Sequence, residues 1–229
     1  MPHMKLESEA RRAGYLVVAG VDEVGRGPLA GPVFACAVVL VPRRVPRALI
    51  RTVDDSKLLN REQREDIAAA LRACAGVHIG LAEASVDEIT RLNILQASKL
   101  AMVRALVALP VAADFALVDG QHVPDFPCAA RAVVRGDSIS ASIASGSIIA
   151  KVARDRHMAV LAELHPHYGW ERNAGYGTAE HLEALGRHGP SPHHRPTFQP
   201  VFNMLGLMPA ENPDVGSAVL SQVIESIDS

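Results

Sequence analysis

Val21-Asp22-Glu23-Val24-Gly25-Arg26-Gly27-Pro28-Leu29-Ala30-Gly31-Pro32-Val33 connects two apolar, β-branched runs, Tyr15 to Val21 and Val33 to Leu40. Both runs have strand length and the connection is punctuated by glycine and proline, so the segment predicts strand, functional loop, strand. Two acids stand where the first strand meets the loop. Adjacent strand residues face opposite sides of a sheet, but the loop can turn Asp22 and Glu23 toward one site. A solvated strand end is the commoner explanation for an isolated Asp-Glu pair. The glycines do not spell a dinucleotide loop: Gly31 comes one position late, and an apolar strand follows where a helix is required. They suit a backbone surface laid against a sugar-phosphate, where peptide groups can bond a 2′-hydroxyl and Arg26 can meet phosphate.

Outward from this loop the chain alternates. Arg61 to Cys74 predicts a helix with Ile67, Ala70 and Leu71 on one face and Asn60 as N-cap. Val77 to Ala82 is a third strand. Val86 to Leu109 reads as helix, in one piece or two, with Ile89, Leu92, Leu95, Leu100, Val103 and Leu106 forming its apolar stripe and Pro110 ending it. Phe115 to Val118 is a buried strand closing at Asp119-Gly120, and Ala132 to Val134 another, stopped by Gly136-Asp137. Ser138 to Leu164 predicts the longest helix. Its first half is nearly all small residues, which lets a helix backbone lie close to a neighbouring layer. A further helix runs from Thr178 to Arg187. Early hairpin-like pairing and later strand–helix alternation predict an α/β fold with a mixed β-sheet.

Three apolar strands or strand ends thus deliver acid at their termini: Asp22 with Glu23, Asp119, and Asp137. Each has an ordinary explanation alone, a turn for Asp119 and an N-cap for Asp137. Together they form a pattern, because carboxylates converging at one sheet edge repel one another unless cations sit among them. Hard oxygen ligands suit Mg²⁺ or Mn²⁺, and two such ions about 4 Å apart can clamp a phosphodiester during in-line displacement.

The whole-chain charge supports this. The 229 residues carry a formal charge of −2, whereas a protein that grips nucleic acid by phosphate neutralisation alone is usually basic. Nucleic-acid binding here must rest on local positive charge or on bound divalent ions. No stretch is long and apolar enough for a membrane helix, the start of the chain resembles no targeting signal, and Cys36, Cys74 and Cys128 read as reduced, packed thiols. The expectation is a cytoplasmic protein with no membrane partner, a monomer by default.

Further candidates for substrate contact are Lys57, Lys151 and Arg154, for which solvated surface charge is an equally good reading. Tyr176 stands between glycines in Gly175-Tyr176-Gly177-Thr178, which predicts an exposed ring able to stack on a base or sugar. The histidine cluster from His157 to His194 lacks zinc-site spacing; some of these rings are expected to bring pH-dependent positive charge near nucleic acid.

The opening stretch, Asp55-Ser56-Lys57-Leu58, Asn93-Ile94-Leu95-Gln96-Ala97, Val118-Asp119-Gly120, Gly136-Asp137, Ile149 to Asp155, His167-Tyr168-Gly169-Trp170, Gly175 to Thr178 and Arg195-Pro196-Thr197-Phe198 resemble, in order, the motifs of ribonuclease HII. The resemblance covers residues 15 to about 203. It implies a ribonuclease H-like fold, a mixed sheet flanked by helices with a small C-terminal helical extension. It implies a catalytic domain over residues 1–205, helical from about 165, followed by a tail over 206–229. It places the four catalytic and metal-binding carboxylates on Asp22, Glu23, Asp119 and Asp137. The implied substrates are RNA–DNA hybrids and duplex DNA containing ribonucleotides, cut on the 5′ side of the ribose to leave 3′-hydroxyl and 5′-phosphate ends. Gly25, Arg26 and Gly27 would read the 2′-hydroxyl, and Tyr176 would stack at the RNA–DNA junction. Two departures stand out: Leu58 follows Lys57 where a second lysine is common, and Gly146 interrupts a usually alanine-rich run, at a helix cost of about 1 kcal/mol relative to alanine.

Overall fold

The computed structural model describes residues 1–54, 56 and 58–207. In chain order the elements are α1 (Lys5–Arg12), β1 (Val18–Val24), β2 (Val33–Leu40), α2 (Arg47–Thr52), α3 (Arg61–Ala73), β3 (Val77–Ala84), α4 (Val86–Val107), β4 (Phe115–Asp119), β5 (Ala129–Val133), α5 (Ala141–Leu164), α6 (Trp170–Asn173), α7 (Ala179–His188) and α8 (Gln199–Met204). The sheet order is β3-β2-β1-β4-β5. β1 pairs antiparallel with β2 and parallel with β4, and β4 pairs parallel with β5, so the sheet is mixed as expected.

Two compact units are distinguished. The first comprises Met1–Val24, Phe34–Glu83 and Ser98–Arg154 and contains the sheet. Its main core joins Cys36, Val38 and Leu40 of β2 to Ile67 and Leu71 of α3 and to Ala144, Ile148 and Ile149 of α5. The small residues of α5 have a clear purpose here. A Cβ on Gly20 of β1 would lie 2.3 Å from the Ile143 nitrogen, and one on Gly146 would lie 2.9 Å from the Cys36 carbonyl oxygen. Helix and sheet backbones meet at these two glycines, so the interruption at Gly146 is a packing requirement.

The start of α5 corrects one expectation. The helix begins at Ala141, and Asp137 lies ahead of it in a 3-10 turn over Gly136–Ser138. The acid at the helix start is the fully buried Glu7 of α1. Its Oε1 accepts from Ser140 Oγ at 2.6 Å, Ser142 Oγ at 2.7 Å and Ser142 N at 3.0 Å. A carboxylate there matches the positive end of the helix dipole. Nothing in the mixed, charged stretch 1–9 signalled this role.

The second unit comprises Gly25–Val33, Ala84–Ala97 and Asp155–Ser229. Its core gathers Leu29, Ala30, Met158, Leu161, Tyr168, Trp170, Leu185 and Val201. Tyr168 stacks on Trp170 with centroids 4.9 Å apart. Of the two readings left open for α4, one piece or two, the second holds: the helix breaks at Asn93, with φ 65°. Among the described residues no helix is long and apolar enough to cross a membrane.

Candidate active site

The four acids belong to the first unit. β1 runs on through Asp22 and Glu23 to Val24, and these two residues pair with Cys36 and Ala35 of β2. They are therefore strand residues, and the following loop does not turn them; this corrects the sequence reading. Parallel pairing matches Val21 with Val118, which puts Asp22 and Asp119 at the same carboxyl end of adjacent strands. Asp119 pairs with Val133 of β5, and the chain then reaches Asp137 through Gly136. Asp119 Oδ1 accepts a 2.6 Å bond from the Gly136 nitrogen, tying one acid to the turn that carries the next. The carboxyl edge of parallel strands is where open α/β sheets bind ligands.

The electrostatics are those of a crowded acid cluster. Asp22 is 5% exposed. Burial first, then the charges of Glu23 and Asp119, push its carboxyl well above the usual carboxylate range, and Asp137 adds to the effect. The Ser147 hydroxyl, donating to Asp22, acts in the opposite direction. Ser56 Oγ stands 3.0 Å from Ser147 Oγ, so two buried serines form a hydrogen-bonded chain ending on Asp22. Sequence reasoning missed both. Ser147 looked only small, and Ser56 was simply the middle of Asp55-Ser56-Lys57.

The donor set fits a hard divalent cation: carboxylate oxygens, one of them desolvated, whose mutual repulsion a cation would relieve. Among the described residues no three His, Cys, Asp or Glu side chains, as placed, converge on one ion position, so the fit is one of chemistry and charge.

The second unit holds the Gly25-Arg26-Gly27 loop and Tyr176. The loop is pinned by Arg195, a fully buried side chain. Arg195 Nε donates to the Gly31 oxygen at 2.9 Å, Nη1 to the Arg26 oxygen at 3.0 Å, and Nη2 to the Gly25 oxygen at 2.6 Å and the Pro32 oxygen at 3.3 Å. Main-chain bonds from Leu29 N to Gly175 O and from Arg195 N to Leu29 O, each 2.8 Å, join the same segments. Gly25 is buried, while Arg26 and Gly27 are exposed. Tyr176 is 47% exposed, as its flanking glycines predicted. A Cβ on Gly27 would lie 3.5 Å from Tyr176 Cε1, so the loop and the ring are neighbours. The anchoring role of Arg195 was not legible beforehand, because its partners are backbone carbonyls far away in sequence.

The remaining candidates separate. Lys151 is half-buried on α5. Arg154 is fully buried, so it is not a surface cation open to phosphate, a correction to the sequence reading. Lys57 lies outside the described residues. His181 and His194 are buried, and burial lowers both their pKa values, His194 to about 3. These two rings stay neutral near pH 7 and supply no positive charge.

Comparison with known proteins gives one answer. The ribonuclease HII family profile matches residues 19–201. Ribonuclease HII of Rhodospirillum rubrum is 59% identical over 205 residues, covering 90% of this chain and 92% of that protein. Ribonuclease HII of Paramagnetospirillum magneticum is 56% identical over 201 residues, covering 88% and 97%. The ribonuclease H2 structure from Pyrococcus horikoshii OT3 matches with a TM-score of 0.68 at 26% identity, covering 82% of this chain and 96% of that one. The chain belongs to the ribonuclease HII family, divalent-metal-dependent endoribonucleases that act on RNA–DNA hybrids.

Proposed function

We propose that this protein cuts on the 5′ side of a single ribonucleotide embedded in duplex DNA, as well as within longer hybrids, leaving 3′-hydroxyl and 5′-phosphate ends. The observation that carries the reading is the burial of Asp22 against Glu23, Asp119 and Asp137, an acid cluster that calls for cations. Asp22, Glu23, Asp119 and Asp137 would hold two Mg²⁺ or Mn²⁺ ions, which when bound would supply Lewis-acid charge for phosphodiester hydrolysis. The serine chain Ser56–Ser147 orients Asp22, and no side chain forms a covalent intermediate.

Recognition rests on the second unit. Arg195 fixes the peptide planes of Gly25 and Arg26 through their carbonyls, which suits the loop to reading a 2′-hydroxyl at close backbone approach. Arg26 is exposed and meets phosphate. Tyr176 presents an exposed ring that stacks at the RNA–DNA junction. Lys151 and Lys57 add phosphate contacts. The catalytic domain is residues 1–205, helical from about 165; the tail expected over 206–229 lies, from residue 208 on, outside the described residues. The enzyme works as a cytoplasmic monomer that starts ribonucleotide removal from DNA.

The test is cleavage of a DNA duplex holding one ribonucleotide, with Mg²⁺, Mn²⁺ or EDTA, mapped to the nucleotide. A metal-dependent cut 5′ to the ribose is expected. Cutting of long hybrids alone would overturn the roles given to Tyr176 and the glycine loop.

A further inference from the structure

Tyr176 is held by a chain of buried histidines whose proton positions can be deduced. The Trp170 indole N–H can only donate, and it points to His181 Nε2 at 3.1 Å. His181 Nε2 is therefore an acceptor and the ring proton sits on Nδ1, from which it donates to the Tyr176 carbonyl oxygen at 2.9 Å. The main-chain nitrogen of Ser191 donates to His194 Nδ1 at 2.9 Å. His194 consequently carries its proton on Nε2, 3.1 Å from His181 Nε2, and donates there. One set of neutral tautomers gives each pair a donor and an acceptor, with the single lone pair of His181 Nε2 shared between Trp170 and His194, and that of His194 Nδ1 facing both Ser191 N and Ser191 Oγ at 3.0 Å. His181 is fully buried and His194 is 1% exposed.

The other end of the chain is the Tyr176 loop. The Tyr176 carbonyl also accepts from Thr178 N at 2.8 Å, and the Thr178 hydroxyl caps α7 by accepting from His181 N at 3.3 Å. His181 thus ties the loop through both its side chain and its backbone. An exposed ring carried on a backbone locked from within can select a geometry instead of following the substrate.

We infer that His181 is a positioning residue for substrate discrimination: its Nδ1–H, oriented by Trp170 and His194, fixes the Tyr176 backbone so that the ring favours the RNA–DNA junction. This rests on the stacking role proposed for Tyr176. In this role His181 does not touch the substrate, and its side chain acts through the Tyr176 carbonyl.

Two substitutions separate the two ring nitrogens. Asn in place of His181 puts an amide donor near the Nδ1 position and keeps the bond to Tyr176. Gln puts an acceptor near the Nε2 position and keeps the bond from Trp170 while losing the one to Tyr176. The measurement is the ratio of kcat/KM on a single embedded ribonucleotide to kcat/KM on a long hybrid, with Tyr176→Ala as reference and thermal denaturation of each variant alongside. His181→Asn should hold the parental ratio within about threefold, and His181→Gln should lower it roughly fivefold to tenfold, the effect of one lost hydrogen bond. Equal ratios in the two variants, with Tyr176→Ala still lowering it, would overturn the inference and leave the stacking role intact. An unchanged ratio in Tyr176→Ala would overturn both. Should either variant fail to fold, ¹⁵N NMR of the unmodified protein decides. It should show His181 protonated on Nδ1 and His194 on Nε2; a proton on His181 Nε2 alone sinks the proposal, because the Tyr176 oxygen can only accept.

Discussion

Replacing Arg195 by methionine removes the guanidinium while keeping most of the side-chain volume. Four carbonyl oxygens, on Gly25, Arg26, Gly31 and Pro32, lose their donor. Each hydrogen bond from a charged donor is worth about 1.5–3 kcal/mol, about 6–12 kcal/mol for the four. Relief from burying the cation offsets several kcal/mol of that sum. The net loss is on the order of 3–5 kcal/mol, a large part of the roughly 5–15 kcal/mol that holds a typical domain. For a chain of this size it corresponds to a melting temperature lower by roughly 8–15 °C. Arg195→Lys should fall about halfway, since an ammonium serves one or two of the four carbonyls and has no planar fork. The assays are thermal denaturation, amide exchange across residues 25–32, and cleavage of a single-ribonucleotide duplex against an all-DNA duplex. Exchange should speed up in the loop first, and discrimination for the ribose should weaken even below the melting point. Arg195→Met melting within about 3 °C of the parent, with unchanged discrimination, would refute the reasoning.

Three further outcomes are expected. Asp22→Asn should lower the turnover number by at least about 10³-fold while substrate binding survives, measured by single-turnover cleavage and a binding titration; near-normal turnover sinks the carboxylate assignment. Gly146→Ala should destabilise, because a Cβ there meets the Cys36 carbonyl oxygen at 2.9 Å, and overpacking of about 1–3 kcal/mol exceeds the gain in helix propensity of about 1 kcal/mol; a higher melting temperature would contradict this. His194, lowered by burial from 6.5 to about 3, makes stability fall with acid. The penalty, on the order of 5 kcal/mol at full extent, is absent above pH 6.5 and grows as pH drops from there toward 3, with His181 adding in the same direction. Denaturant titrations at pH 7.5 and 4.5 check it in the Asp22→Asn background, because the raised Asp22 carboxyl shifts stability the opposite way as pH falls; equal stability at the two there would count against the buried neutral pair.

Much of the frame was readable from pattern alone. The runs flanking the glycine loop became β1 and β2, the Asn60 cap closed a capping box with Gln63, and the helix from Val86 broke as its pattern allowed, at Asn93. These features are local: strand length, cap chemistry and turn residues lie within a few positions of one another. The placing of the acids was readable for a related reason, since Asp22 and Glu23 lie near the end of β1, Asp119 ends β4 and Asp137 stands in the turn after β5, and strand ends share an edge. The end of β1 and the start of α5 were misread where long-range pairing decides. β2 pairs with Asp22 and Glu23 and so extends the strand, and Glu7 rather than Asp137 serves the helix.

The charged residues show the limit most clearly. Arg154 and Arg195 look alike in sequence, cations in polar surroundings, and both are fully buried. Hydrophobic periodicity cannot find such a residue, because burial of a cation depends on acceptors brought in by the fold. For Arg195 those acceptors are four carbonyls about 165 residues upstream, in a loop whose Gly25 and Gly31 adopt φ of 99° and 80°, a conformation that favours glycine. The same glycines that suggested a surface for a sugar-phosphate thus also make the surface's anchor possible. Loop and anchor form one device, whose two halves stand at opposite ends of the matched family region. Substitution at either half should therefore weaken recognition of the ribose, and the double substitution should cost less than the sum of the two.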